Sequence, residues 1–318
     1  MAEPDQAFWQ AKPVTVTGGA GFLGSVLVRQ LEQLDAEVQV VRSADHDLRD
    51  PAATRAAVDG AEIVVHLAAN VGGIGFNRRN PAPLVHDNMA MTSNIFEQSR
   101  EAGVAKLVSA CTVCAYPKFV EAPFREEDLW EGYPEETNAP YGLAKKMMLV
   151  LSDAYRRQYG FESCAPIIAN LYGPGDNFDL EDSHVIAAMI RKYVEAEESG
   201  ADTVTLWGTG TPSREFLYVD DAARALLLAA ERLETSDPVN VGVGLETRIR
   251  DLAEMIERLV GYRGQTVWDD SRPDGQAKRY LDTTRARKLF GFEARVSLEE
   301  GLERTIAWFR ENTSPGGA

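Results

Sequence analysis

Gly18-x-x-Gly21-x-x-Gly24 constrains this chain more than any other stretch, because it stands between the β-branched run Pro13–Thr17 and a segment of helical apolar spacing. Glycines at those intervals let a backbone leave a strand, turn tightly and approach a pyrophosphate. The helix that follows offers free N–H groups and a partial positive charge to the same anion. Val26, Leu27, Leu31 and Leu34 give Ser25–Leu34 its helical period. The alternation then repeats: Glu37–Val41, Ala61–Ala68 and Lys106–Cys111 read as strands, with a helix over Asn88–Ala102 before the last.

Strands alternating with helices predict parallel βαβ units with right-handed crossovers, hence an α/β fold on a Rossmann-type doubly wound parallel sheet. Tyr141–Tyr159 reads as a helix, and Ala165–Leu171 as an apolar strand ending at Tyr172-Gly173-Pro174-Gly175. Beyond that turn the pattern changes. A helix is expected over His184–Ala196, a strand at Thr203–Trp207, a turn at Gly208–Pro212 and a strand at Phe216–Val219. The helix Asp221–Leu233 follows, and Val239–Val241 is placed back in the main sheet. Ile249–Val260 and Leu298–Glu311 are amphipathic helices, and Ser314–Ala318 is a tail. The expected division is a dinucleotide-binding domain from 1–172 and 216–240, with a smaller, discontinuous C-terminal substrate domain from 173–215 and 241–318.

The 318 residues can bury a sizeable core. A net charge of −16 with no Lys/Arg-rich run argues against nucleic acid as a partner, since such a surface repels phosphate backbones. No apolar run approaches the roughly 20 residues that a membrane helix needs. Three cysteines make no disulfide framework, and the N-terminus lacks a signal-peptide pattern, so a cytoplasmic location is expected. Cys111-x-x-Cys114 has no second pair or neighbouring His cluster, so no metal site is read from it. Cys111 and Cys164 fall in apolar strands and read as core.

The chemistry gathers between Ser109 and Lys145. Thr112, Cys114, Tyr141 and Lys145 place a hydroxyl, a thiol, a phenol and an ammonium on strand-end, loop and helix positions, a set suited to carbonyl chemistry. Tyr-x-x-x-Lys at a helix start puts both side chains on one face, where the ammonium lowers the phenol pKa. The same ammonium can hold the nicotinamide ribose. The end of the second strand bears on cofactor choice. Val41-Arg42-Ser43 supplies donors and no acid, which favours the extra phosphate of NADP over the free ribose hydroxyl of NAD. Asp47 and Leu48 stand where an adenine-contacting pair would lie. His66 reads as a core or cofactor-side packing residue, and His46 and His86 as loop residues.

Longer motifs carry a resemblance. They are Gly18–Gly24, His66-Leu67-Ala68-Ala69, Val71-Gly72-Gly73-Ile74, Cys114-Ala115-Tyr116-Pro117-Lys118 and Thr137–Lys145. They continue with Asn170-Leu171-Tyr172-Gly173-Pro174, Asp176-Asn177-Phe178, Ser183-His184-Val185-Ile186, Trp207-Gly208-Thr209-Gly210, Arg214–Asp221 and Pro273-Asp274-Gly275. Over nearly the whole chain the sequence resembles the GDP-L-fucose synthase family of extended short-chain dehydrogenases/reductases. The resemblance implies a nucleotide-sugar substrate, epimerisation of GDP-4-keto-6-deoxy-mannose at C3 and C5, reduction at C4, and a homodimer formed through helices following Asn88 and Tyr141.

The resemblance further implies Cys114 as the base and His184 as the acid of inversion, with Thr112, Tyr141 and Lys145 at the C4 carbonyl. Gly18, Gly21, Phe22, Leu23, Gly24, Arg42, Ser43, Asp47, Leu48 and Ala68, with Tyr141 and Lys145, are expected at the cofactor. Asn170, Val185, Lys192, Trp207, Arg214 and Arg279 are expected at the substrate. Four positions depart from the family pattern: Ala187 stands for Pro without evident functional consequence, Thr112 for Ser, Lys192 for Arg and Arg279 for Lys. The last two keep the charge but change the donor geometry. A related enzyme that epimerises another nucleotide sugar without net reduction uses the same side chains. A non-catalytic dinucleotide sensor or scaffold is disfavoured, because every expected catalytic side chain is retained.

Overall fold

A computed structural model describes residues 2–180, 182–271 and 275–313. Pro273-Asp274 of one motif and the expected tail Ser314–Ala318 lie outside them. A five-stranded, all-parallel sheet runs in the order Glu37–Val41, Pro13–Thr17, Ile63–His66, Lys106–Ser109, Ser163–Cys164. The strand order reverses direction at Pro13–Thr17. That leaves a crevice beyond the carboxyl ends of Pro13–Thr17 and Ile63–His66, where open α/β sheets bind ligands. Ile63–His66 is fully buried, as a central strand of a covered parallel sheet should be. The helices Phe22–Gln33 and Val219–Arg232 pack together as one group, and Pro51–Val58, Pro81–Ala102 and Ala139–Tyr159 as another.

Several elements differ from the sequence expectation. The helix expected from Asn88 begins at Pro81, and the one expected from Tyr141 begins at Ala139 with Pro140 in its first turn. Proline costs nothing there, because the first N–H groups of a helix have no intrahelical partner. His86 consequently lies on a helix and not in a loop. The run Ala165–Leu171 is not one strand. Ile167–Ile168 pairs with Cys111–Thr112 and Asn240–Val241, whereas Asn170–Tyr172 pairs with Phe216–Tyr218. Apolarity alone cannot reveal a change of ladder partner. Both ends of the run Ala61–Ala68 are trimmed, and Pro51–Val58 is a helix that the apolar spacing did not indicate.

Among the described residues two large hydrophobic cores form, beside a small cluster of Val41, Leu48 and Ala57. The larger lies around the parallel sheet and includes Val16, Leu27, Val65, Phe96, Leu107 and Leu226. The smaller includes Tyr172, Ile190, Tyr193, Leu206, Ile256, Leu302 and Phe309. It is built from the helices Val185–Ser199, Ile249–Val260 and Leu298–Thr313 and the parallel pair Thr203–Trp207 and Gln265–Asp269. Among the described residues no helix is long and apolar enough to cross a membrane.

Candidate active site

One continuous cleft runs from the glycine turn, past the ends of the parallel strands, to the smaller core. Every residue singled out from the sequence as a site candidate lines it. At one end, Gly21 caps Phe22–Gln33 in an extended conformation with no side chain bonded over the first N–H groups. A Cβ at Gly24 would stand 2.1 Å from the Gly18 carbonyl oxygen, so only glycine permits this turn to close on its helix. Ala68 donates its N–H to the Thr17 hydroxyl at 3.3 Å, and that hydroxyl pairs with His66 Nδ1 at 2.8 Å. His66 is fully buried, and burial, aided by the nearby Lys145 charge, holds its pKa down at about 3. It is a neutral packing residue under the floor of the cleft.

Arg42 and Ser43 follow Glu37–Val41 on the wall of the cleft. Asp47 lies beside them with its carboxylate engaged by Arg49 at 2.7 Å, a contact that lowers its pKa to about 2. Leu48 is buried. Arg49 and Asp87 also line this wall, and Asp87 accepts from Asn70 at 3.0 Å. The sequence reading passed over this pairing, which joins the loop after Ile63–His66 to the helix Pro81–Ala102.

The middle of the cleft is organised by a close approach. A Cβ on Gly142 would lie 2.3 Å from the Cys114 carbonyl oxygen, so the helix Ala139–Tyr159 presses directly on the short 3-10 turn Val113–Ala115. Thr112 caps that turn, its hydroxyl accepting from the Cys114 N–H at 3.3 Å. The contact sets Cys114 next to Tyr141, while the Cys111 thiol donates to the Lys145 carbonyl at 3.5 Å. Lys145 is 2 % exposed, and burial lowers its pKa to about 8. Tyr141 is partly exposed, and desolvation raises its phenol above the ordinary value, with the neighbouring Cys114 and Cys111 adding to the rise. The expectation that Lys145 draws the phenol pKa down is therefore not met in this structure: burial sets the direction, and Lys145 contributes nothing that offsets it. Cys111 is buried, and its thiol is pushed up to about 11.

Toward the smaller core, His184 caps Val185–Ser199 with an exposed ring. Its Nδ1 lies 3.8 Å from Asp176 Oδ1, and Asp176 is almost fully buried, with Oδ2 lacking a partner. The backbone between them is tied to the cofactor side by the Gly73 N–H donating to the Asp182 carbonyl at 3.0 Å and by Arg79 on Asp182 at 3.1 Å. Lys192 donates to the Thr205 carbonyl at 2.8 Å and stands 5.5 Å from the centre of the exposed Trp207 ring; burial lowers its pKa. Val185 and Arg214 lie along the same wall. Arg279 donates from Nη2 to Asn170 Oδ1 at 3.0 Å and from Nη1 to Cys114 Sγ at 3.7 Å.

A thiol, an imidazole, a phenol and an ammonium thus share a cleft whose other end is a glycine turn suited to a pyrophosphate. That combination defines a nucleotide-dependent enzyme of carbonyl chemistry. Residues 14–242 match the NAD dependent epimerase/dehydratase family, and the chain belongs to it. The full-length relatives narrow this to the GDP-L-fucose synthases. The GDP-L-fucose synthase of Escherichia coli strain K12 is 41% identical over 94% of this chain and 97% of its own. GDP-L-fucose synthase 1 of Arabidopsis thaliana is 37% identical over 94% of this chain and 93% of its own. The fold is likewise similar to that of a GDP-L-fucose synthetase from Naegleria fowleri bound to NADP. That structure has a TM-score of 0.86 and 30% identity, covering 98% of both chains.

Proposed function

We propose that this chain is an NADP-dependent epimerase-reductase that converts GDP-4-keto-6-deoxy-mannose to GDP-L-fucose by inverting C3 and C5 and reducing C4. One observation carries the reading: two separate acid–base sets, Cys114 with His184 and Tyr141 with Lys145, line a single cleft. Reduction of a ketone needs only the second set. Inversion at carbon needs a base and an acid of its own.

The turn closed by Gly24 and the uncovered N-terminus of Phe22–Gln33 fit a dinucleotide pyrophosphate. Arg42 and Ser43 hold the ribose phosphate, which supports NADP over NAD. Gly18, Gly21, Phe22, Leu23, Asp47, Leu48 and Ala68 complete the binding wall. When bound, NADPH supplies the hydride that C4 requires. Lys145 holds the nicotinamide ribose through its ammonium. Tyr141 gives its proton to the C4 oxygen. The Thr112 hydroxyl already accepts from the Cys114 N–H, so its own proton is free to donate to that same oxygen.

Inversion precedes reduction, because the C4 ketone is what makes the neighbouring C–H bonds acidic. Cys114, as thiolate, takes the proton from carbon; the S–H bond forms, and the C–H electron pair moves into an enolate on the C4 oxygen. His184 returns a proton to the opposite ring face. Lys192 and Arg214 hold the diphosphate, Trp207 and Val185 the base, and Asn170 and Arg279 the sugar end. The protein acts as a cytoplasmic homodimer through Pro81–Ala102 and Ala139–Tyr159.

The test is incubation of the protein with GDP-4-keto-6-deoxy-mannose and NADPH or NADH in D2O. Expected are deuterium at C3 and C5, stoichiometric NADPH oxidation and GDP-L-fucose as product. Deuterium exchange without any oxidation of either cofactor would make the chain an epimerase without net reduction.

A further inference from the structure

Arg279 stands on Lys278–Arg279, a strand that pairs in parallel with Ser213–Arg214. Two sets of contacts fix its position. The backbone is bracketed by Glu215, whose N–H donates to the Arg279 carbonyl at 3.1 Å while its carboxylate accepts from the Leu281 N–H at 2.8 Å. Glu215 is itself fully buried and also accepts from the Gly244 N–H at 2.6 Å. The side chain is aimed by Asn170, whose amide donates to the Glu215 carbonyl at 2.8 Å and so turns its oxygen toward Arg279. With Nη2 held on that oxygen, the other arm of the fork falls on the sulfur of Cys114. The Nε is buried and makes no hydrogen bond, so the two terminal nitrogens alone decide where the guanidinium sits.

We propose that Arg279 is a positioning residue for Cys114: Glu215 and Asn170 aim its guanidinium at the sulfur, where it fixes the thiol and stabilises the thiolate that takes protons from carbon. The inference rests on the epimerase reading of the cleft and gives Arg279 a task at the acid–base centre beyond contact with the sugar end. A planar fork can bridge an amide oxygen and a sulfur at once; an ammonium offers its donors from a single point and cannot span both. A fixed cation beside a sulfur favours thiolate, the form that acts as base or nucleophile.

The experiment compares Arg279→Gln, Arg279→Lys and Asn170→Ala with the unaltered protein by two measurements. The first is the alkylation rate of Cys114 by iodoacetamide, with Cys114→Ser identifying the labelled thiol; Cys111 and Cys164 are buried. Alkylation is expected to slow about tenfold in Arg279→Gln and less in Arg279→Lys and Asn170→Ala, which keep the charge but not its aim. The second is deuterium exchange into the sugar at saturating GDP-4-keto-6-deoxy-mannose without reductant. The maximal rate should fall about 30-fold in Arg279→Gln with KM changed less than about threefold, and Arg279→Lys should recover part of it. A raised KM with an unchanged maximal exchange rate would make Arg279 a nucleotide ligand and overturn the proposal, as would alkylation that is unchanged or faster. No exchange in the unaltered protein would overturn the epimerase reading, while the alkylation series would still decide whether Arg279 governs Cys114.

Discussion

Cys114 is the residue on which the two halves of the proposed chemistry separate. Its replacement by serine is expected to abolish deuterium exchange at C3 and C5, while NADPH still binds with little change, as fluorescence titration would reveal. Lys145 makes the complementary case. It is buried, and burial holds its pKa near 8 in place of the usual 10.5. The unfolded chain therefore binds a proton between about pH 10.5 and 8 that the folded protein does not. Stability falls as pH drops through that window and stays low below it, a penalty of roughly 3 kcal/mol at neutral pH. Lys145→Met should raise the urea midpoint at pH 7, remove the rise in stability between pH 8 and 10.5, and lower reduction at least about 100-fold. A lower midpoint at pH 7 would sink the account. Tyr141 and Lys145 were legible because helical spacing alone sets i and i+4 on one face. The Cys114–Arg279 contact was not, since nothing local ties two residues that only strand pairing brings together.

At the level of elements, Ala139–Tyr159 matters less for its own stability than for how tightly it seats on Val113–Ala115. Gly142→Ala adds a methyl where the Cys114 carbonyl already lies, so the helix or the turn must shift. The expected cost is about 1–3 kcal/mol in the denaturation free energy, with about a 100-fold loss of epimerisation from misplacing the thiol. Tyr159→Ala, at an exposed position far along the helix, should cost much less. The alternation of strands and helices was readable from apolar period and the glycine turn, whereas the ends of elements were not. Proline opens both Pro81–Ala102 and Ala139–Tyr159 because first-turn N–H groups are free, and Pro166 precedes the point where one apolar run changes ladder partner. These outcomes depend on tertiary pairing that no window of sequence contains.

For the whole molecule, charge and assembly are the relevant scales. Among the described residues eight basic and five acidic side chains line the cleft, although the chain carries a net charge of −16. The site is thus a locally cationic channel in an anionic body, suited to two diphosphate ligands. The helices Pro81–Ala102 and Ala139–Tyr159 leave Met89 45% and Val150 43% exposed, which suits an apolar seam between two copies. For the proposed homodimer, Met89→Asp combined with Val150→Asp should shift sedimentation from dimer to monomer; an unchanged dimer would place the interface elsewhere, and a monomeric unaltered protein would overturn the homodimer.

The cleft also bears on how such a chain can change over generations. Cys114 sits on a turn rooted in the larger core, and His184 caps a helix of the smaller one. A recombination joining one core of this protein to the other core of a relative would inherit a thiol and an imidazole never selected to face the same sugar ring. On the proposed assignment, reduction draws its side chains from elements packed on the larger core and would survive such a crossover; inversion, which draws on both, would not. Stereochemistry is therefore a property that the two halves can pass on only together, while reductive ability can travel with one.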